Sequence, residues 1–137
     1  MIGIVLTGHG KYPTGLYQSV KLIAGEVESL EVVPFVQDQD KLKDSLLKAI
    51  EKVDEGDGVV CFADLAGGTP FNVSSQLAIT REYMHVIGGT NPPMLLSALF
   101  QRELPVKAFV SNVIQEGKAS IKAFEFKERT GNHSEGI

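Results

Sequence analysis

Hydrophobic residues along the chain fall into two kinds of segment that alternate with one another. Short, nearly continuous apolar runs rich in β-branched residues occupy 2–6, 31–36, 57–63 and 84–88. Runs of this length and composition are typical of buried strands. Between and after them, apolar residues recur every three or four positions, which is the spacing of one helix face. The alternation predicts an α/β fold, with an open and mostly parallel sheet covered by helices on both faces.

Polar residues, prolines and glycines mark where five predicted helices begin and end. Asp38 and Asp40 are candidate N-caps of the second helix, whose apolar face comprises Leu42, Leu46, Ala49, Ile50 and Val53. The other predicted boundaries are Thr14 as N-cap of the first helix, Thr69 as N-cap of the third with Pro70 following it, a fourth helix over 94–102, and Gly117 as a break in the fifth. The first helix carries an apolar stripe of Leu16, Val20, Ile23, Val27 and Leu30.

The C-terminal part of the chain has a mixed pattern. Residues 120–127 fit either a helix or a short edge strand with Phe124 and Phe126 on one face. Residues 128–137 are polar, contain two glycines and are expected to form a flexible tail. The sequence therefore predicts one domain over residues 1–127, followed by that tail.

Two loops of unusual composition are predicted to meet at one edge of the sheet. Open parallel sheets bind ligands outside the carboxyl ends of their strands, where the winding direction reverses. For the common strand order 2-1-3-4, that point lies between the first and third strands. His9 follows the first strand, and Asp64 follows the third, ahead of Gly67, Gly68 and Thr69. These residues are the candidate site.

The chemistry of these five residues suits phosphoryl transfer. Neutral imidazole is a good nucleophile because its unperturbed pKa is about 6.5. A carboxylate that accepts a hydrogen bond from one ring nitrogen leaves the lone pair of the other free to attack. Backbone N–H groups of Gly67, Gly68 and Thr69, ahead of a helix, favour a phosphate-like anion. Each residue also has a purely structural interpretation, because a lone histidine, a turn aspartate, a tight glycine turn and a threonine N-cap are all common.

Composition, charge and motif content argue against several classes of partner and ligand. Thirteen basic and seventeen acidic residues give a net charge of −4 without a basic run, which argues against nucleic acid as a partner. No apolar run approaches the roughly 20 residues that span a bilayer, so membrane insertion is not expected. The single cysteine, Cys61, fits a reducing compartment and a cytoplasmic location. No zinc-type spacing, dinucleotide fingerprint or Walker motif occurs, so we expect no metal and no cofactor.

The remaining histidines and Cys61 have structural interpretations. His85 lies inside an apolar run and is expected to be a core or edge residue, whereas His133 lies in the tail and is expected to be solvated. Cys61, in the middle of a strand, is expected to pack as a small hydrophobic residue.

Three segments of the chain resemble one known family. They are Ile2-Gly-Ile-Val-Leu-Thr-Gly-His-Gly10, Asp64-Leu-Ala-Gly-Gly-Thr-Pro-Phe-Asn72 and Val86-Ile-Gly-Gly-Thr-Asn-Pro-Pro-Met-Leu95. Their order and spacing over residues 1 to about 125 are similar to those of the mannose-family IIA domains of the bacterial phosphoenolpyruvate-dependent sugar phosphotransferase system. The middle segment is the most specific of the three.

The resemblance implies a function and a set of roles. His9 would take a phosphoryl group from the phosphocarrier protein HPr and pass it to a IIB component, Asp64 would hydrogen-bond that histidine, and Thr69 would contact the phosphate beside Gly67 and Gly68. It also implies a homodimer that exchanges antiparallel C-terminal edge strands, and a free-standing IIA subunit. Several family members carry threonine where this chain has Leu65, so a hydroxyl contact at that point is missing.

Two other functions remain open at this point. A related IIA-like domain donates phosphate to dihydroxyacetone kinase, but such proteins differ in the turn before the nucleophile and usually continue into further phosphotransfer domains. A regulatory module that binds a small ligand or nucleotide is also compatible with an acidic doubly wound fold. The single-domain chain and the Gly-Gly-Thr-Pro-Phe-Asn segment favour the sugar phosphotransferase system over the dihydroxyacetone kinase pathway.

Overall fold

The four apolar runs pair side by side in the computed structural model, which describes residues 1–127. The elements in chain order are β1 (Gly3–His9), α1 (Tyr12–Ala24), β2 (Leu30–Phe35), α2 (Gln39–Val53), β3 (Val59–Ala63), α3 (Thr69–Ile79), β4 (Met84–Ile87), α4 (Pro92–Leu99) and α5 (Val106–Ala119). The strands form one sheet in the order β2-β1-β3-β4, and every pair is parallel. The predicted fold class and strand order are confirmed.

The two faces of the sheet are covered by different helices, because alternate strand residues point to opposite sides. On one face Ile4, Leu6 and Phe62 pack against α1, α4 and α5. On the other, Val5 and Cys61 pack against α2 and α3. β1 and β3 lie inside the sheet and are buried on both faces, which explains why their sequences are apolar without alternation.

The second helix matches its prediction closely. Asp38 is the N-cap, and its side chain accepts hydrogen bonds from the N–H groups of Asp40, at 2.9 Å, and Lys41, at 3.2 Å. All five residues of its predicted apolar face are buried.

β2 is an edge strand, which accommodates Pro34, a residue that has no N–H to donate to a neighbouring strand.

The first helix starts earlier and ends earlier than predicted. Its N-cap is Lys11, so Thr14 lies inside the first turn and is not the cap. Pro13, with a backbone angle already suited to a first helical turn, explains a start without a side-chain cap. The helix ends at Ala24 with Gly25 as C-cap, so Leu30 belongs to β2 and the predicted stripe is interrupted.

The other three helices also differ from prediction. Gly68 is the N-cap of α3, and Thr69 is the first helical residue, again beside a proline that suits the first turn. Gly117 does not break α5 but is buried inside it. A Cβ at this position would lie 2.7 Å from the side chain of Met94. The glycine therefore serves close packing between α5 and α4. α4 spans Pro92–Leu99, with Asn91 as N-cap, so it starts and ends earlier than the predicted 94–102.

The end of the described chain leaves large apolar side chains in solvent. Residues 121–127 have neither helix nor strand, although their sequence pattern fits both. Ile121, Phe124 and Phe126 are 78%, 89% and 81% exposed. The predicted tail at 128–137 lies outside the described residues. Among residues 1–127, no helix is both long and apolar enough to cross a membrane.

A buried arginine stabilises the amino-terminal end of the sheet, where β1 and β2 begin. Arg102, only 7% exposed, donates from Nε to the carbonyl of Ile2 at 2.8 Å. Its two terminal nitrogens donate to the carbonyls of Glu28, at 2.6 Å, and Ser29, at 2.7 Å. One guanidinium thus joins the α4–α5 connection to Ile2, just before β1, and to the turn before β2.

Replacing this arginine tests its contribution to stability. Arg102→Leu leaves three carbonyls without their charged donor, so we expect the free energy of unfolding to fall by about 2–4 kcal/mol. Urea denaturation measures the change. Lys107→Leu, at an exposed position on α5, is the control and should stay within about 0.5 kcal/mol of wild type. Equal stabilities for the two variants would contradict the role given to Arg102.

Candidate functional site

The ends of β1 and β3 bring His9 and Asp64 together. Thr7 on β1 is opposite Ala63, the last residue of β3, and Asp64 follows immediately. β1 extends through His9, which is paired with Phe35 of β2, so the histidine belongs to the strand end and not to the predicted turn. The residues that the sequence placed at the winding reversal therefore lie at the carboxyl edge between two neighbouring strands.

The carboxylate of Asp64 accepts three N–H donors. Its Oδ2 accepts from the main-chain N–H of His9 at 2.9 Å and lies 2.9 Å from Nδ1 of the same imidazole. Its Oδ1 accepts from the main-chain N–H of Leu65 at 2.8 Å. The Asp64 side chain is 9% exposed, whereas that of His9 is 45% exposed. The carboxylate is thus enclosed, and the imidazole reaches from it towards solvent.

This environment keeps Asp64 ionised and determines the tautomer of His9. Burial, the largest single influence, acts to raise the pKa of Asp64, but the hydrogen bonds from His9 and Leu65 together outweigh it. The pKa of Asp64 is therefore lowered from its ordinary value. An ionised carboxylate can only accept hydrogen bonds, so the neutral imidazole must carry its proton on Nδ1. The lone pair of Nε2 is then free and faces away from Asp64.

Two glycines provide the space that this arrangement needs. A Cβ on Gly8 would lie 3.0 Å from Cγ of Asp64, and a Cβ on Gly68 would lie 3.0 Å from Cε1 of His9. Both distances are shorter than ordinary carbon contacts of about 3.5–4.0 Å. Phe35 packs against the imidazole from another side, with ring centroids 5.9 Å apart and planes inclined by 79°.

The loop after Asp64 places free N–H groups near the imidazole. Gly68 N–H is occupied, because it donates to the carbonyl of Leu65 at 3.1 Å. Within residues 1–127, the N–H of Gly67 makes no such bond, and the N–H of Thr69 has no acceptor in the first turn of α3. Asn72 steadies the loop by donating from Nδ2 to the carbonyl of Gly67 at 3.0 Å. Gly68 thus lies beside His9, and within the described residues the N–H groups of this loop that lack an acceptor belong to its neighbours Gly67 and Thr69.

Sequence reasoning did not single out three residues at this edge. Phe35 contacts the imidazole, Asn72 holds the glycine loop, and Tyr12 donates a hydrogen bond to the carbonyl of Thr90. Asn72 had a signal, since it ends the most specific of the three family-like segments. Phe35 and Tyr12 had no local signal, because their contacts depend on strands and loops that are distant in the chain.

Neither His85 nor Cys61 is part of the site. His85 lies half-buried on β4, which is an edge strand, and His133 is outside the described residues. Cys61 is fully buried, and that burial raises the pKa of its thiol to about 12, so it packs as a small apolar group. Within residues 1–127, no three histidine, cysteine, aspartate or glutamate side chains are grouped so that they could hold a metal ion.

Comparisons with known proteins give a consistent result. The family model described as "PTS system fructose IIA component" matches residues 3–114. The fructose-specific EIIA component of Bacillus subtilis is 32% identical over 116 residues, which cover 82% of this chain and 80% of that protein. The mannose-specific EIIAB component of Escherichia coli is 29% identical over 92% of this chain, which spans only 40% of that longer protein.

A solved structure agrees with these matches. The crystal structure of a phosphotransferase-system EIIA component from Streptococcus agalactiae superimposes with a TM-score of 0.82 and is 31% identical. The superposition covers 90% of this chain and 97% of that one. The described fold is therefore similar to that of this EIIA component and covers almost its whole length.

The ionised state of Asp64 predicts how stability depends on pH. Because its pKa is lowered in the folded chain, the stabilisation is fully present above the unfolded value of about 3.9 and is lost as the pH falls through the folded value. We expect Asp64→Asn to lower the free energy of unfolding by about 1–3 kcal/mol above pH 5, and by progressively less towards pH 2. Denaturation curves over this range measure it. Asp44→Asn, at an exposed position, is the control, and a gap that stays constant in acid would contradict the prediction.

Proposed function

The chain belongs to the mannose-type EIIA family of the phosphotransferase system, and on that basis we propose that it carries a phosphoryl group on His9. The group would come from phospho-HPr and go on to a IIB component during sugar uptake. The observation that supports this proposal best is a 45% exposed imidazole whose Nδ1 lies 2.9 Å from a buried carboxylate, an arrangement that leaves the Nε2 lone pair available.

The first transfer needs no proton movement at His9. The Nε2 lone pair attacks phosphorus, and an N–P bond forms as the bond from phosphorus to the donor's leaving atom breaks. That leaving atom keeps the electron pair of the broken bond. His9 retains its Nδ1 proton throughout, so its ring becomes cationic as the phosphoryl group arrives. The ionised Asp64, 2.9 Å from Nδ1, stabilises that positive charge.

The glycine loop would hold the transferred phosphoryl group. The N–H groups of Gly67 and Thr69 and the positive end of the α3 dipole favour negatively charged oxygens beside the imidazole. The hydroxyl of Thr69 adds a further donor. Leu65, which is 58% exposed, contributes no hydroxyl, so the phosphate contacts in this chain depend on the loop backbone and Thr69. Positioning and charge stabilisation of this kind account for most of the catalysis of phosphoryl transfer.

The second transfer reverses the first at the same atom. A IIB component would approach the exposed side of the imidazole, and its nucleophile would attack phosphorus as the Nε2–P bond breaks. Nε2 takes back the electron pair, and the neutral Nδ1–H tautomer is restored. We place both transfers in the cytoplasm, and both require His9 to remain accessible to a protein partner, as its 45% exposure allows.

We also propose that the chain forms a homodimer by exchanging its C-terminal segment. β4 is an edge strand, and within residues 1–127 no strand covers its outer side. A hollow of about 390 Å³ beside it is lined by Tyr83, His85, Pro105 and Val106, among others. Residues 121–127 of a second copy would add a strand there and remove their phenylalanines from solvent. Exchange of one identical element between two copies is a common route to dimers.

Phosphate labelling tests the role of His9. With Enzyme I, HPr and labelled phosphoenolpyruvate, we expect wild type to gain one acid-labile label and His9→Ala to gain none, because the nucleophile is missing. Asp64→Asn should be labelled at least tenfold more slowly, because it loses the charge that stabilises the cationic ring.

The matched control for this experiment is His85→Gln, which removes an imidazole on β4, a strand that is not adjacent to β1. It should be labelled at the wild-type rate. Acid-labile label on His9→Ala would disprove the proposal, and unchanged kinetics for Asp64→Asn would remove the carboxylate from the mechanism. Addition of a IIB component should then discharge the label from wild type.

Analytical ultracentrifugation tests the dimer. Replacing Phe124 and Phe126 together by serine should raise the dimer dissociation constant by about 100-fold or more, because two large apolar side chains lose their buried positions. Phe100→Ser, at a phenylalanine that is also 81% exposed, is the control and should leave the dimer unchanged. A wild-type chain that stays monomeric at micromolar concentration would refute the exchange.

A further inference from the structure

Tyr12 links the histidine loop to the loop that follows β4. It is the first residue of α1, three positions after His9, and its side chain is 40% exposed. Its phenolic O–H donates a hydrogen bond to the main-chain carbonyl of Thr90. The two residues are 78 positions apart in the chain, so the bond depends on the completed fold.

Thr90 is itself fixed firmly to the end of β3. Its main-chain N–H donates to the carbonyl of Ala63 at 3.1 Å, and its hydroxyl donates to the same carbonyl at 2.8 Å. The neighbouring Gly89 donates its N–H to the carbonyl of Asp64 at 3.0 Å. Thr90 is only 4% exposed. The carbonyl that accepts the Tyr12 hydrogen bond therefore belongs to a buried residue, which is held by hydrogen bonds to the end of β3, next to Asp64.

These contacts close a ring of bonds around the catalytic pair. The chain leads from His9 to Tyr12, the phenol binds Thr90, Thr90 is bound to Ala63, and Asp64 returns to His9 through its carboxylate. On the opposite side of the histidine turn, Gly10 donates its N–H to the carbonyl of Phe35 at 2.8 Å. The turn after His9 is thus bound to β2 through Phe35 and to the loop after β4 through Thr90.

We propose that Tyr12 is a positioning residue, whose hydroxyl keeps the His9 turn at the distance from Asp64 that phosphoryl transfer requires. This inference rests on the proposed function of His9. Tyr12 acts through the backbone of its own turn and needs no contact with the phosphoryl group. The chemistry suits a phenol, because the bond needs a rigid donor long enough to reach from α1 to a buried carbonyl.

The environment of Tyr12 keeps its hydroxyl a donor. Burial is the larger influence that raises the pKa of Tyr12, and the negative charge of Asp64 raises it further. The phenol therefore remains protonated at neutral pH. The N-cap of α1, Lys11, makes no side-chain hydrogen bond to the first turn, so it does not duplicate the contact that Tyr12 makes with Thr90.

Tyr12→Phe tests this inference, because it removes the hydroxyl and keeps the ring. We expect phospho-HPr to label this variant about three- to tenfold more slowly, the change in rate that corresponds to one hydrogen bond. In ¹⁵N NMR of the unphosphorylated chain, we expect a smaller fraction of the Nδ1–H tautomer of His9. A merely structural role would lower stability without changing that tautomer fraction.

Tyr17→Phe is the matched control. Tyr17 lies on the same helix, packs against the core and has Lys21 Nζ 5.7 Å above its ring. Its variant should match wild type in both rate and tautomer fraction. If Tyr12→Phe also matches wild type in both, Tyr12 is not a positioning residue. If no variant and no wild-type chain takes up phosphate, the proposed function fails, and the tautomer measurement still decides whether Tyr12 fixes the His9–Asp64 pair.

Discussion

The carboxylate of Asp64 holds together the two strand ends on which the site depends. It binds the backbone and the ring of His9 through one oxygen and the start of the glycine loop through the other. These bonds require the register that pairs Thr7 with Ala63, because a shift by one residue would turn the side chains at the strand ends to opposite faces. That register is fixed far from the site, by the packing of β1 and β3 into a separate apolar cluster on each face of the sheet. The geometry of two polar residues at one edge is thus a consequence of the packing of the core.

The sequence predicted most of the fold because its strongest signals are local. Apolar runs identified all four strands, and α2 had both an aspartate cap and a regular stripe. Errors occurred where two local signals compete. Thr14 and Thr69 are good cap residues, but each is adjacent to a proline that suits the first turn, and both helices begin at or before the threonine. The prediction for Gly117 was wrong for a different reason, since only the position of Met94 shows that the glycine serves packing and not termination.

The candidate site was predictable to the level of residues but not of atoms. Strand order and the rule for ligand positions in parallel sheets are sufficient to bring His9 and Asp64 to one edge. Which ring nitrogen meets the carboxylate depends on side-chain direction, which no spacing in the sequence encodes. The same is true of Gly68, whose amide is used within its own loop. The Tyr12–Thr90 bond joins residues too distant in the chain for any local pattern to reveal.

One oxygen of Asp64 binds both the main-chain N–H and the ring nitrogen of the same histidine. His9 is therefore closed into a small cyclic arrangement, in which rotation about its side-chain bonds would break a contact. An exposed side chain normally samples several rotamers, and a partner must wait for, or select, the right one. Here the side chain of His9 loses its conformational entropy when the chain folds, and the favourable free energy of folding compensates for that loss. A partner protein then encounters one fixed target, so the search that remains is for the relative orientation of the two proteins.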